Sequence, residues 1–161
     1  MAKISAGQEI RDFSLQSSDG NKITPLEFRG KWTILFFYPK DDTSGCTKEA
    51  CGFRDWINEY RKRNVLIYGV SGDDLESHEN FISKNKLPYP LLSDPSHEML
   101  EDFGVWQEKS MYGKTYMGTA RTTVVVDPDG RIAKIFEDVK PDDHAREVIS
   151  YLDVVMAGWA I

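Results

Sequence analysis

Cysteine and histidine are scarce here, with two and three residues respectively among 161. A zinc site needs about four ligands. The histidines are scattered without ligand spacing, so a metal site is not indicated. No apolar run approaches the length that crosses a bilayer. The N-terminal MAKISAGQEI has no apolar core of a secretory signal. No repeat, low-complexity stretch or linker divides the chain, so a single domain over residues 1–161 is expected. Positive charge is in deficit: the net charge of −6 argues against nucleic acid or an anionic membrane surface as partner. These absences point to the cytoplasm, where thiols stay reduced. A cysteine pair in that compartment is more often redox-active or metal-binding than a staple.

What is present is an ordinary globular composition, 40% hydrophobic and 29% charged. TILFFYP (33–39) and VLIYGVS (65–71) are short continuous apolar runs, as in parallel strands buried on both faces. Between them Phe53, Trp56, Ile57 and Tyr60 recur at helical spacing, which predicts one helix and a βαβ unit. Asp73 or Asp74 can cap a second helix through about Lys86. SDPSHEMLEDFG predicts a third, with Asp94 as N-cap, Pro95 in the first turn and Gly104 ending it. RTTVVVDPDGRIAKIF (121–136) is a hairpin signal around Asp-Pro-Asp-Gly. A last helix carries Ala145, Val148, Ile149, Leu152, Val155 and Met156 on one stripe. DFSLQSSDGNKIT reads as an added N-terminal hairpin turning at Asp19-Gly20. The element order is that of an α/β, thioredoxin-like fold: a central mixed sheet flanked by helices.

Both cysteines lie in TSGCTKEAC, residues 43–51. On an ideal helix five residues separate the Cα atoms by roughly 8.6 Å, with about 140° of rotation. A disulfide needs about 7 Å or less, so bonding Cys46 to Cys51 requires the helix to open. A structural disulfide would not sit there, leaving two inert core thiols or a working redox pair. The local sequence favours the pair. Thr43 or Ser44 can cap the helix, which puts Cys46 in its first turn at the positive end of the dipole. Cys46 also lies on the stripe of Phe53 and Ile57, at the C-terminal end of an apolar strand, where open α/β sheets collect their sites. Cys51 falls off that stripe.

PKDDTSGC matches the peroxiredoxin pattern P-x-x-x-T-x-x-C through Pro39, Thr43 and Cys46. The second cysteine in GCTKEACGFRD resembles the peroxiredoxin Q subfamily, also called bacterioferritin comigratory protein, and MYGKTYMGTARTTVVVD is similar to its loop and strand. The resemblance covers nearly the whole chain. It implies a peroxidase acting on hydrogen peroxide and organic hydroperoxides, with no bound cofactor. Cys46 matches the peroxidatic cysteine and Cys51 the resolving one. Thr43 matches the threonine that contacts the peroxide, Arg121 the arginine that completes the site, and Pro39 the proline that shields the thiolate. Thioredoxin, or alternatively glutaredoxin, is the implied reductant, and the implied state is a monomer, with dimers also occurring. Ser44 stands where many relatives carry proline, and GWAI at the C-terminus matches no family feature. A thiol–disulfide oxidoreductase is the enzymatic rival, against which C-x-x-C is missing. A redox-switched binding or holdase protein is the rival from another class.

Ionisation alone does not make a fast peroxidase. Lowering a thiol from pKa ~8.5 to ~6 raises its ionised fraction at pH 7 about thirty-fold. The weaker base loses roughly thirteen-fold in nucleophilicity. The net gain is about twofold, so the larger effect must act on charge developing in the transition state. Arg121, the Thr43 hydroxyl and backbone N–H groups near Cys46 are the candidate donors.

His78, His97 and His144 are expected at the surface rather than in catalysis. Asp41 and Asp42 read as loop charges. Arg61-Lys62-Arg63 ends a helix, where it suits the dipole, and is too short for a nucleic-acid footprint.

Overall fold

In the computed structural model, which describes residues 4–159, the two apolar runs lie side by side at the centre of the sheet. β3 (Thr33–Phe37) pairs in parallel with β4 (Leu66–Ser71), from Thr33 opposite Leu66 to Phe37 opposite Val70. Every residue of β3 is buried, as a strand covered on both faces requires. Its side chains alternate between two cores. Ile34 and Phe36 join the cluster under the helices that carry Phe53, Phe81 and Val148. Leu35 and Phe37 join the cluster holding Phe28, Leu100 and Phe103. Fully burying a side chain such as Phe, Leu, Ile or Val contributes about 1.5–3 kcal/mol, so both faces of the sheet are held by burial.

The remaining strands are β1 (Leu15–Ser17), β2 (Lys22–Ile23), β5 (Leu91–Ser93), β8 (Thr122–Val126) and β9 (Ile132–Phe136), in sheet order β2-β1-β5-β4-β3-β8-β9. The N-terminal hairpin turns where expected, with Gly20 at φ +90°. The β8–β9 hairpin is also present. Its turn is held by the Asp127 carboxylate, which accepts from the backbone N–H groups of Asp129 and Arg131. Asp74 caps α3 (Leu75–Asn85), accepting from Ser77 N–H at 2.8 Å. α5 (His144–Trp159) buries Ala145, Val148, Ile149 and Leu152. Ala160 and Ile161 of the C-terminal GWAI lie outside the described residues. Among the described residues no helix is long and apolar enough to cross a membrane.

Three expectations are corrected. The single helix after β3 is two, α1 (Ser44–Asp55) and α2 (Ile57–Lys62), because Trp56 leaves helical geometry at ψ 8°. The apolar stripe survives the break: Phe53 and Tyr60 are fully buried, with Trp56 and Ile57 packed against them. The third helix is only α4 (Glu98–Asp102), since His97 at φ +64° cannot be helical. Asp94 is therefore not its N-cap, though its carboxylate still accepts from Leu100 N–H at 2.9 Å. The stretch from Met111 up to Arg121, read as a loop before the strand, instead belongs to a separate hairpin of β6 (Trp106–Met111) and β7 (Lys114–Thr119). Tyr112 and Gly113, at φ +52° and +76°, make the two-residue turn that matches strand twist. Most of its side chains are exposed, so no alternating burial pattern marks it in the sequence.

Candidate active site

The C-terminal end of β3 feeds residues 38–43 into α1. Thr43 is the N-cap residue by backbone geometry, yet its side chain does not cap. Its hydroxyl donates instead to the Lys40 carbonyl at 3.2 Å, which corrects the expected capping role. The first helical bond runs from Thr47 N–H to the Thr43 carbonyl. The N–H groups of Gly45 and Cys46 thus have no carbonyl inside the helix to bond and no capping side chain. Cys46 is the third residue of α1 and 1% exposed.

Arg121 reaches Cys46 through sheet register. β8 runs antiparallel to β3 with Phe37 opposite Thr122, so the residue before β8 stands beside the end of β3. The Arg121 guanidinium donates from Nη2 to Cys46 Sγ at 3.4 Å and from Nη1 to Glu49 Oε1 at 2.7 Å. A side chain at position 45 would begin 3.1 Å from Nη2, so glycine there clears the guanidinium's approach. Burial lowers the proton affinity of Arg121, but the charges of Glu49 and Cys46 more than restore it, and it stays cationic.

Glu49 was not anticipated. It is buried three residues after Cys46, on the same helix face, and a carboxylate on an otherwise buried stripe was the available signal. Desolvation pushes its pKa up to about 7 against the opposing charge and hydrogen bond of Arg121. Its Oε2 has no hydrogen-bond partner among the described residues. A carboxyl whose folded pKa is raised from 4.5 to about 7 contributes most to stability at low pH, and that contribution is lost as pH rises through about 7. Glu49→Gln removes this titration. The difference in thermal midpoint, variant minus wild type, should therefore rise between pH 5 and pH 8, by the equivalent of about 1–3 kcal/mol. A difference unchanged by pH would show that Glu49 does not titrate in this window.

Pro39 is half-buried and lines a groove with Lys40, Gly72, Trp106, Lys109 and Thr119. Lys109 comes from β6, and its alkyl stem lies across Gly118. Burial lowers its proton affinity, as does the charge of Arg121, while Cys46 acts in the opposite sense. A second cation is therefore within electrostatic reach of the sulfur. Cys51 stays on α1, half-buried, and donates its S–H to Asn85 Oδ1 at 3.7 Å. Neither cysteine is in a disulfide. The fold thus joins Cys46 to Arg121, keeps Thr43 at the helix mouth and Pro39 in the neighbouring groove, and holds Cys51 apart.

The surface expectation fails for two histidines and one aspartate. His78 is fully buried, with Nδ1 2.7 Å from Asp41 Oδ2 and Nε2 2.9 Å from the Leu92 carbonyl. Asp41 is buried with it and also accepts from Tyr38 Oη at 2.6 Å and Ser77 Oγ at 2.8 Å. This network ties the segment before Cys46 to α3. His144 is buried between Glu147 and Thr123. Helical periodicity cannot flag such residues, because polar neighbours from distant segments are what make their burial tolerable. His97 stacks on Trp106 at 3.9 Å, and Asp42 is exposed and paired with Lys84, as a loop charge should be.

Comparison with known proteins adds a second line. A model described as the AhpC/TSA family matches residues 6–135. The chain is 41% identical over 149 residues to peroxiredoxin Bcp of Bacillus subtilis (strain 168), covering 92% of this chain and 95% of that protein. It is likewise 41% identical over 152 residues to peroxiredoxin Bcp of Escherichia coli (strain K12), covering 94% and 97%. Among solved structures it is similar to the bacterioferritin comigratory protein of Xanthomonas campestris, described for its alkyl peroxide reduction activity. The TM-score is 0.86 at 35% identity, covering 93% of this chain and 98% of that one. A mutant of Xylella fastidiosa PrxQ superposes with TM-score 0.90 at 30% identity, covering 95% and 98%.

Proposed function

Because this chain belongs to the AhpC/TSA family and is a thiol peroxidase of the Bcp/peroxiredoxin Q kind, we propose that Cys46 attacks the peroxide and Cys51 resolves the product. The fold is thioredoxin-like, with the reacting sulfur at the C-terminal edge of the sheet. The observation that carries the assignment is the Arg121 fork, which reaches Cys46 Sγ with one nitrogen and Glu49 with another.

The chemistry follows from the groups at hand. The Cys46 thiolate attacks the terminal oxygen of R–O–O–H, the O–O bond breaks, and the departing oxygen takes a proton to leave as water or an alcohol. Charge grows on that oxygen as the bond lengthens. Arg121 and the unpaired N–H groups of Gly45 and Cys46 are donors already in place to meet it. The Thr43 hydroxyl, expected as a donor, donates instead to the Lys40 carbonyl, which leaves its oxygen lone pairs to accept the peroxide O–H. Pro39 would close the groove side of the sulfur against water.

Cys46 is then a sulfenic acid. The Cys51 sulfur attacks it, a Cys46–Cys51 disulfide forms, and water departs. Since α1 holds the two sulfurs apart, its first turns must open, and opening at a helix end is a low-energy fluctuation. A dithiol reductant such as thioredoxin then reduces the disulfide by exchange, becoming oxidised itself. A cytoplasmic setting fits such a cycle, and peroxide and the reductant are the only partners it requires.

The test is Cys51→Ser in stopped flow, with tryptophan fluorescence as reporter. The variant should give one turnover at the wild-type rate and then stall with thioredoxin, Cys46 trapped as the sulfenic acid. Full cycling by this variant would remove Cys51 from the resolving role.

A further inference from the structure

Cys51 is docked against the last residue of a different helix, and one side chain does the docking. Asn85 ends α3 before Lys86 turns left-handed at φ +54°. Its Oδ1 accepts from Cys51 Sγ at 3.7 Å and its Nδ2 donates to the Phe81 carbonyl at 3.2 Å. The backbone carbonyl of Asn85 is one of the unpaired carbonyls at the α3 C-terminus, and Arg54 Nη1 donates to it at 2.8 Å. Cys51 and Arg54, one helical turn apart on α1, thus both converge on residue 85. A third tie to α1, Tyr89 Oη to the Ala50 carbonyl at 2.6 Å, belongs to a buried ring packed edge-on against Phe36. Asn85 is only half-buried, so its side-chain tie is the one that can break without disturbing the core.

We propose that Asn85 is a positioning residue for the second chemical step, a latch that holds Cys51 on α3 until α1 opens. The inference rests on the reading of Cys51 as the resolving thiol. Once formed, the Cys46 sulfenic acid has two fates. Attack by Cys51 forms the disulfide and releases water. Attack on a second hydroperoxide transfers another oxygen to sulfur, giving the sulfinic acid and an alcohol or water. The first fate requires the Cys51–Asn85 contact to break, and the second does not. The strength of that contact therefore sets the peroxide concentration at which the enzyme inactivates itself. The Arg54 tie runs to the main chain, so side-chain substitutions at position 85 change the cysteine contact while leaving Arg54 its acceptor.

Two substitutions should move the balance in opposite directions. Asn85→Ala removes the acceptor, and alanine is the better helix former. Asn85→Asp replaces it with a carboxylate, a stronger acceptor. Each protein is cycled with thioredoxin at rising peroxide, and the sulfinic form is measured by mass spectrometry. In N85A the peroxide concentration for half inactivation should rise roughly two- to fivefold, the size expected from one modest hydrogen bond. In N85D it should fall by a similar factor. The first oxidation, followed by stopped flow, should keep its wild-type rate in both. General loosening of the helix contact would move both variants the same way, and that result overturns the latch. Unmoved midpoints, or a first step altered as much as the second, overturn it as well. If N85A does not fold, N85D decides alone: a midpoint at or above wild type overturns the proposal. A stalled C51S enzyme with unmoved N85A and N85D removes the latch only, whereas a freely cycling C51S enzyme removes the resolving role and this inference with it.

Discussion

Cys46→Ser should bring peroxide consumption down to the rate of the protein-free mixture, with the fold intact. The buried site tolerates the exchange, because a serine oxygen is smaller than the sulfur and Arg121 Nη2, now 3.4 Å from Sγ, can donate to it. A hydroxyl at neutral pH is almost entirely protonated, however, and is a far poorer nucleophile toward oxygen than a thiolate. Cys51 cannot take over. It is half-buried on the α3 side of the helix, where Asn85 holds its S–H and the Arg121 fork is engaged elsewhere. The measurement is consumption of reductant in a coupled thioredoxin assay, with circular dichroism as the fold control. Substantial turnover by C46S would place the reacting sulfur elsewhere and end the assignment.

Arg121→Ala should slow the oxidation of Cys46 by about 10²–10³-fold, the usual loss when one preorganised donor to a developing oxyanion is removed. The size matters because two explanations predict different amounts. If Arg121 only helped the thiol ionise, the weaker nucleophilicity of the more acidic thiolate would nearly cancel the gain, and the loss would be about twofold. Raising the pH would then restore the rate. If Arg121 stabilises the departing oxygen, the deficit persists above the pH at which the sulfur is fully ionised. Stopped-flow rates from pH 6 to 10 separate the two, and an alanine variant that recovers at high pH would sink the transition-state argument. Arg121→Lys should rescue only in part. A single ammonium does not reproduce a planar fork that serves Cys46 and Glu49 in parallel. The alanine variant should also destabilise the fold, since it leaves the Glu49 carboxylate buried without its partner.

Much of the architecture was legible in the chain because its signals are local. The continuous apolar runs became the central parallel pair, and Asp-Pro-Asp-Gly became the β8–β9 turn. Of the two candidate caps, Asp74 took the role, accepting from Ser77 N–H, while the Asp73 carboxylate accepts from Asp41 N–H and Ser71 Oγ instead. The exposed β6–β7 hairpin escaped notice because neither face is buried and only Tyr112-Gly113 marks its turn. The α4 start was misplaced because Asp94-Pro95 looks the same whether the helix begins there or after the left-handed His97.

The residues by themselves determined that the two thiols share one helix, that Cys46 sits in its first turn and that the pair cannot bond while the helix is closed. These are consequences of a 3.6-residue repeat and need no neighbours. Only the tertiary structure decided that the Arg121 fork spans Cys46 and Glu49, that Glu49 is a buried acid with its pKa near 7, and that Asn85 holds Cys51. Each of those depends on groups 34 to 75 positions apart being brought together and dehydrated. Strand register and burial do that, and neither is written in any one segment of the chain.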